Sequence, residues 1–144
     1  MAMSTKLSVA VHILSLIELG PSDQMTSEFI ARSVNTNPVV VRRLMSQLKK
    51  ANLIHSMRGA TKTYLLKEPQ EISLYDVYEA VELDREVFNV HQNTNPNCIV
   101  GANIQTALEE SFSKAQQQME AELKQVTLAS VIQNIQNEQH KINA

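Results

Sequence analysis

The first third of the chain spaces its apolar residues helically, and short polar breaks divide it into segments. Between residues 5 and 19 apolar positions recur every three or four residues, which predicts a helix that Gly20 ends. A second, shorter helix is expected to begin at Thr26 or Ser27, both good capping types, and to run to Val34. The polar residues that follow predict a tight turn into a third helix.

The third helix has two contrasting faces. Asn37 is a favoured N-cap residue, and Pro38 suits the first helical position because its missing N–H costs nothing there. One buried stripe is predicted from spacings of three and four, and it consists of Val41, Leu44, Met45 and Leu48. Val39 and Val40 lie with Pro38 at the exposed tip, and the remaining faces carry Arg42, Arg43, Ser46, Gln47, Lys49 and Lys50.

An apolar back with a cationic, hydrogen-bonding front is typical of the recognition helix of a helix-turn-helix, whose N-terminal residues reach base edges in the major groove. The alternative is an ordinary amphipathic helix with a solvated basic face. The order of a long helix, a short helix, a polar turn and a basic helix favours the first interpretation.

Two short strands with a basic tip follow this helix. Residues 53–57 and 63–66 have strand character, and Arg58 and Lys62 lie between them. A hairpin directly after a recognition helix is interpreted as a wing, and its tip could reach phosphates or a minor groove. The alternative for the tip is a solvated hairpin turn with the same fold.

A fourth helix is expected over residues 72–81, with Ser73 and Asp76 spaced as a capping box. Residues 84–101 are irregular and Asn-rich, and a loop of this length is expected to be either functional or mobile.

A long helical pattern without glycine or proline covers residues 102–126. Its apolar positions recur at coiled-coil spacing, and such a narrow stripe needs a partner to bury it. The alternative is packing against its own domain, but we expect a symmetric dimer because operators of helix-turn-helix proteins mirror a protein two-fold axis. The apolar phase changes at Thr127, which predicts a separate last helix. The predicted dimer seam is Ile104, Leu108, Phe112, Ala115, Met119, Leu123 and Val126.

These elements predict a mostly α fold with a small β wing. Residues 1–83 form a winged helix-turn-helix DNA-binding domain, residues 84–101 a loop, and residues 102–144 a dimerisation helix and a short terminal helix. The length of 144 residues and the 43% of hydrophobic residues fit this size of fold. With no bilayer-length apolar segment, no signal-peptide pattern and a single cysteine, the expected location is the cytoplasm.

The charge is divided unevenly along the chain. The net charge is −2, but residues 1–66 hold eight Lys and Arg against three acids, and residues 67–144 hold five against twelve. The two parts therefore carry +5 and −7. A basic N-terminal part is the electrostatic footprint of a phosphate-binding module.

The segments 26–31, 37–45 and 48–54 resemble the Rrf-two (Rrf2) family of bacterial winged-helix transcription regulators. The resemblance extends to the fourth helix, the loop with Cys98 and the long helix, and residues 37–45 are its most specific part. It implies a homodimer joined through the long helix, with two wings and two recognition helices on a palindromic operator.

The chain departs from the family in two places. Cluster-binding members carry three cysteines in the loop, whereas this chain has only Cys98, so we expect no iron–sulfur cluster and no other cofactor. The chain is more similar to the cluster-free cysteine-metabolism repressor than to the iron–sulfur cluster regulator. The second departure is the wing tip, where Ala60, Thr61, Lys62 and Thr63 replace the paired glycines that the family often has.

Cys98 is a candidate redox sensor because a helix N-terminus stabilises a thiolate. The alternatives are a small buried hydrophobic residue or a remnant ligand position. His12 and His55 have no acid or cysteine at ligand spacing, so no metal site is expected. No nucleophile–base arrangement or phosphate-binding glycine loop is present, so we do not expect an enzyme.

The sequence therefore predicts a homodimeric DNA-binding transcription regulator, most simply a repressor. Its effector, small molecule or protein, is not specified by the sequence. The alternative is a winged-helix interaction module that binds a metabolic enzyme or another protein. The predicted base-reading residues are Arg42, Arg43 and the tip Asn37, Pro38, Val39 and Val40, and those expected to hold the phosphate backbone are Ser27, Lys49, Lys50, Arg58 and Lys62.

Overall fold

The computed structural model describes residues 4–56 and 62–143. Six α-helices and one two-stranded sheet lie within these ranges. Two short 3-10 turns are also present, Ser22–Gln24 between the first two helices and Pro69–Glu71 after the sheet. In chain order they are α1 (Lys6–Leu19), α2 (Ser27–Val34), α3 (Pro38–Lys50), β1 (Ile54–Ser56), β2 (Thr63–Leu65), α4 (Leu74–Val81), α5 (Ile99–Gln125) and α6 (Leu128–Asn143).

The predicted helices and the wing strands are confirmed. β1 and β2 are antiparallel, with Ile54 opposite Leu65 and Ser56 opposite Thr63. The inward side of this ribbon is closed by Ile54 and Thr63, which are 1% and 2% exposed. The predicted tip between the strands, including Arg58, lies outside the described residues.

The ends of the helices follow the capping chemistry that the sequence predicted. The Ser73 side chain accepts a hydrogen bond from the Asp76 N–H, and the Asp76 carboxylate accepts one from the Ser73 N–H, each at 3.0 Å. This capping box fixes the start of α4. Thr127 separates α5 from α6 and caps the latter, because its Oγ1 accepts from the Ser130 N–H at 3.1 Å.

One hydrophobic core joins α1, α2, α3, β1, α4 and α6. Ile13 and Leu14 of α1 and Val77 of α4 are fully buried in it. Leu128 and Ile132 of α6 are 0% and 7% exposed in the same core. The last helix therefore packs with the N-terminal elements, although the sequence had grouped it with the long helix.

The long helix is attached to this core at its C-terminal end. The Val126 carbonyl accepts from the Leu74 N–H, and the Ile72 carbonyl accepts from the Leu128 N–H, both at 2.8 Å. Val126 itself follows the last residue of α5 and is half-buried. It therefore lies at the junction with α4 and not on the helical seam to which the sequence assigned it.

Candidate nucleic-acid interface

The turn between α2 and α3 is fixed by backbone and side-chain hydrogen bonds. Asn35 adopts the left-handed conformation at φ 63°, which an asparagine tolerates better than most residues. The Asn37 Oδ1 then accepts from the Val39 N–H at 2.8 Å and caps α3. This cap uses one of the two lone pairs of the Asn37 amide oxygen, and the Nδ2 group can donate to a base or a phosphate.

The back of α3 is buried as predicted. Val41, Leu44, Met45 and Leu48 are between 0% and 7% exposed, and all four belong to the core. Arg42, Arg43, Ser46, Lys49 and Lys50 are exposed on the other side. Gln47 differs from the expectation, because it is half-buried and its Oε1 is enclosed without a hydrogen-bond partner among the described residues.

The N-terminal tip of α3 is apolar and yet exposed. Val39 and Val40 are 49% and 38% exposed, and Pro38 is half-buried. In the major groove, branched apolar side chains contact the methyl group of thymine, which is the one apolar feature of the base edges. The tip therefore has the chemistry of a base-reading surface that includes thymine.

The two arginines of α3 differ in their surroundings. Arg42 lies 3.4 Å from the Glu28 carboxylate of α2, and the two side chains are 53% and 63% exposed. Among the described residues, Arg43 has no carboxylate within ion-pair distance. Arg43 can thus offer its whole guanidinium to a guanine, whereas Arg42 must first leave or share Glu28.

The lysines at the other end of α3 serve a different region. Lys49 and Lys50 lie in the last turn, where their charges also favour the negative end of the helix dipole. With a rise of 1.5 Å per residue, Lys50 is about 16 Å along the axis from Val39. These lysines are therefore well separated from the tip along the helix axis. Ser27, at the first position of α2, is half-buried beside the free N–H groups of that helix.

The wing offers one cation and an aromatic pair within the described residues. Lys62 is exposed directly before β2. His55 and Tyr64 are opposite one another across the strands, both exposed, with ring centroids 5.2 Å apart. Sequence reasoning did not propose this pair, although strand alternation with Thr63 inward puts Tyr64 outward. A tyrosine hydroxyl on the outer face can donate to a phosphate.

The predicted dimer seam lies on the least buried helix. No residue of α5 is buried, although Ile104, Leu108, Phe112, Met119 and Leu123 form one stripe, and each is half-buried. Ala115 is exposed between them. The helix begins at Ile99 and not at Ala102, and this adds Ile99 and Val100, 83% and 62% exposed, to its apolar surface.

Cys98 is the N-cap residue of α5 and is exposed, so it is not buried in the core of its own chain. The backbone N–H groups of Gly101 and Val100 face the sulfur and lower the pKa of the Cys98 thiol. A lowered pKa increases the thiolate fraction near neutral pH. The redox role stays a prediction.

The described residues contain no group of three or more His, Cys, Asp or Glu side chains placed to hold a metal ion. His12 instead lies 2.9 Å from the Ser33 hydroxyl, a contact between α1 and α2. None of the described helices has both the length and the apolarity that crossing a bilayer requires.

Comparison with known proteins agrees with this arrangement. The profile of the Rrf2 family, described as iron-dependent transcriptional regulators, matches residues 3–134. The chain belongs to the Rrf2 family. It is a transcription regulator with a DNA-binding winged-helix fold, as the resemblance of its first segments implied.

Three further comparisons show which proteins the chain is similar to. It is 48% identical over 133 residues to YwnA of Bacillus subtilis (strain 168), named as a candidate HTH-type transcriptional regulator, with 92% of this chain and 98% of YwnA covered. The crystal structure of a candidate DNA-binding protein is 47% identical, with a TM-score of 0.72 over 88% of this chain and 98% of that one. CymR, the global cysteine regulator of B. subtilis, shares the fold at 21% identity and a TM-score of 0.65, over 92% and 97% of the two chains.

The iron in the family description does not fit the donors of this chain. An iron–sulfur cluster needs several thiolates, and Cys98 is the single cysteine in the sequence. The thiolates of this chain are therefore too few to hold an iron–sulfur cluster.

Proposed function

We propose that this regulator acts in the cytoplasm as a homodimer that binds a palindromic operator and represses transcription. The observation that carries the proposal is the pairing of a cationic helix α3, fixed on a buried back, with a long helix α5 that has an apolar stripe and no buried residue. The first supplies a reading surface, and the second supplies a surface that needs a partner.

The size of α5 supports a dimer seam. Its 27 residues extend about 40 Å, and the stripe from Ile104 to Leu123 covers about 28 Å of that length. Apolar surface left in water costs about 25 cal/mol per Å² relative to burial, and a self-complementary stripe is buried by a second copy related by a two-fold axis. Such an axis places two α3 helices symmetrically, which matches an inverted-repeat operator.

The roles proposed for the side chains follow from their surroundings. Arg43 and the tip residues Val39 and Val40 read bases, and Arg42 contributes after it leaves Glu28. Ser27, Lys49, Lys50 and Lys62 hold phosphates and set the orientation of α3. Repression requires only that the bound dimer cover a promoter, so it needs no surface beyond these.

Selection of bound DNA from a random pool tests the proposal. The expected result is enrichment of an inverted repeat whose half-site centres are about 10 base pairs apart, one turn of the duplex. The Arg43→Ala variant should lose the preference at one base pair of each half-site. Failure to enrich any sequence at physiological salt, with recovery of a protein partner instead, would favour an interaction module and overturn the proposal.

A further inference from the structure

A cavity of about 430 Å³ lies between the irregular segment 84–98 and the middle of α5. Its size is within the range of small-molecule sites. The segment is held on α5 at three levels: Gln105 donates to the His91 carbonyl at 2.9 Å, the Phe88 and Phe112 rings lie 5.3 Å apart, and Gln116 accepts from the Val87 N–H at 3.2 Å. These contacts fix the segment on α5 and so hold the two walls of the cavity together.

The lining of the cavity combines aromatic rings with one sign of charge. Phe88 and Phe112 form one side, and Phe88 is 51% exposed. Glu86, Glu109 and Glu120 also line the cavity, and no Lys or Arg does so among the described residues. None of these three carboxylates has an ion-pair partner within 4.0 Å in the described part of the chain.

The aromatic rings and the carboxylates of the lining indicate which class of ligand fits the cavity. The carboxylates attract a cation, and the aromatic faces stabilise a cation or an apolar body placed over them. A bare metal ion fits poorly, because the described carboxylates are not grouped closely enough to coordinate one. We propose that this cavity binds an organic cation that has an aromatic or aliphatic body and an ammonium group.

The carboxylates of the cavity lie beside the proposed dimer seam, and Phe112 belongs to both surfaces. Residues of an α-helix are about 100° apart around its axis, so Glu109, Gln116 and Glu120 lie on a face about one third of a turn from Leu108 and Ala115. Phe112 stands between the two faces and packs against Phe88 of its own chain. A second copy that packs on the seam therefore does not cover the carboxylates that line the cavity.

A hydrogen-bonded path leads from the cavity toward α3. Gln116 donates to Glu120 at 3.2 Å and to the Arg85 carbonyl at 2.6 Å. The same carbonyl accepts from the hydroxyl of Tyr78, which is 7% exposed on α4, and α4 contacts α3. A cation that binds the Glu120 carboxylate competes with the Gln116 amide for it. Through this path, occupancy of the cavity by the cation alters the affinity of α3 for DNA. This regulatory consequence rests on the proposed function, whereas the binding itself does not.

The charge requirement is tested by calorimetry without DNA, with three probes that share one body: 4-phenylbutylammonium, neutral 4-phenylbutan-1-ol and anionic 4-phenylbutyrate. The ammonium should bind, the alcohol at least about tenfold more weakly, and the carboxylate not at all. Equal binding of the three probes, or no binding of the ammonium at 10 mM, would overturn the proposal.

Paired variants locate the site. Glu109→Gln combined with Glu120→Gln should weaken ammonium binding at least about tenfold and leave the alcohol unchanged. Glu110→Gln is the matched control, because Glu110 is adjacent but forms its ion pair with Lys114 on another face. Equal losses in the double variant and the control would overturn the assignment to this cavity, provided that circular dichroism shows both folded.

The regulatory consequence is tested with the DNA recovered by selection. At fixed ionic strength, 4-phenylbutylammonium should change DNA affinity at least about threefold in the native protein and not in the double variant. An unchanged affinity with confirmed binding would overturn the coupling alone. If no DNA is ever selected, the proposed function fails, while calorimetry still decides whether the cavity binds the cation.

Discussion

Helices α3 and α5 have similar patterns and opposite surroundings. Both carry an apolar stripe at spacings of three and four, but four residues of α3 are at most 7% exposed and α5 has no buried residue. The partner of α3 is in its own chain, since α1, α2 and α4 surround it. An amphipathic pattern therefore specifies that a face will be covered and does not specify by which chain.

The largest effect is expected from a charge placed on the α5 seam. Leu108→Glu should place an uncompensated charge in the proposed dimer contact, at a cost of roughly 3 kcal/mol or more, which raises the dimer dissociation constant more than about a hundredfold. Sedimentation equilibrium measures this. Ala107→Glu is the matched control, because Ala107 is exposed beside the seam. If both variants remain dimeric, the stripe does not join two chains.

A substitution on the buried face of α3 should lower the stability of the fold and not the affinity of the dimer. Leu48 is 0% exposed, so Leu48→Ala should lower the free energy of unfolding by about 2 to 5 kcal/mol through lost burial and a residual cavity. Denaturant unfolding at several protein concentrations separates this loss from an effect on dimerisation. A loss below about 1 kcal/mol would mean that the core is not closed by α3.

The two arginines on the exposed face of α3 should contribute unequally to DNA binding. Arg43→Ala should weaken operator binding by about 1 to 3 kcal/mol, since it removes a bidentate base contact. Arg42→Ala should cost less, because Glu28 already engages its guanidinium. Fluorescence anisotropy on operator and unrelated DNA measures both. A larger loss for Arg42 would reverse the assigned roles.

Removal of the acid beside Arg42 should strengthen DNA binding. Glu28→Gln releases the guanidinium and removes a negative charge near the phosphates, which is worth up to about 1 kcal/mol in a well-solvated site. The unfolding free energy should change by less than about 0.5 kcal/mol, because the ion pair is exposed. Glu110→Gln, on α5, is the control, and an equal gain there would show a non-specific charge effect.

The smallest expected effect is on the wing. Lys62→Ala should reduce the slope of log K against log salt by about one unit, because one phosphate contact and its released counterion are lost. Its effect should be similar for operator and unrelated DNA. An unchanged slope would show that this side of the wing does not touch the backbone.

Much of the winged-helix part could be predicted from the sequence because its signals are local. The Asn37 cap, the capping box of Ser73 and Asp76, and the helix break at Thr127 each depend on residues a few positions apart, and the structure confirms them. Local chemistry specifies these features before any tertiary contact forms.

Features that depend on distant contacts were not predictable. The ion pair of Arg42 with Glu28 joins two helices, and the Phe88–Phe112 contact joins a loop to α5. The loop segment has no periodicity, so its placement could not be read from the chain. For the same reason the cavity beside α5, with its three carboxylates, was not anticipated.

In the proposed dimer, the α5 seam holds two recognition helices at a separation set by DNA. Ser46, exposed on α3, can be replaced by cysteine in a Cys98→Ser background and spin-labelled for pulsed electron–electron resonance. We expect one distance distribution centred between about 25 and 45 Å, around the 34 Å of one duplex turn. The absence of dipolar coupling, or a centre well outside that range, would contradict it.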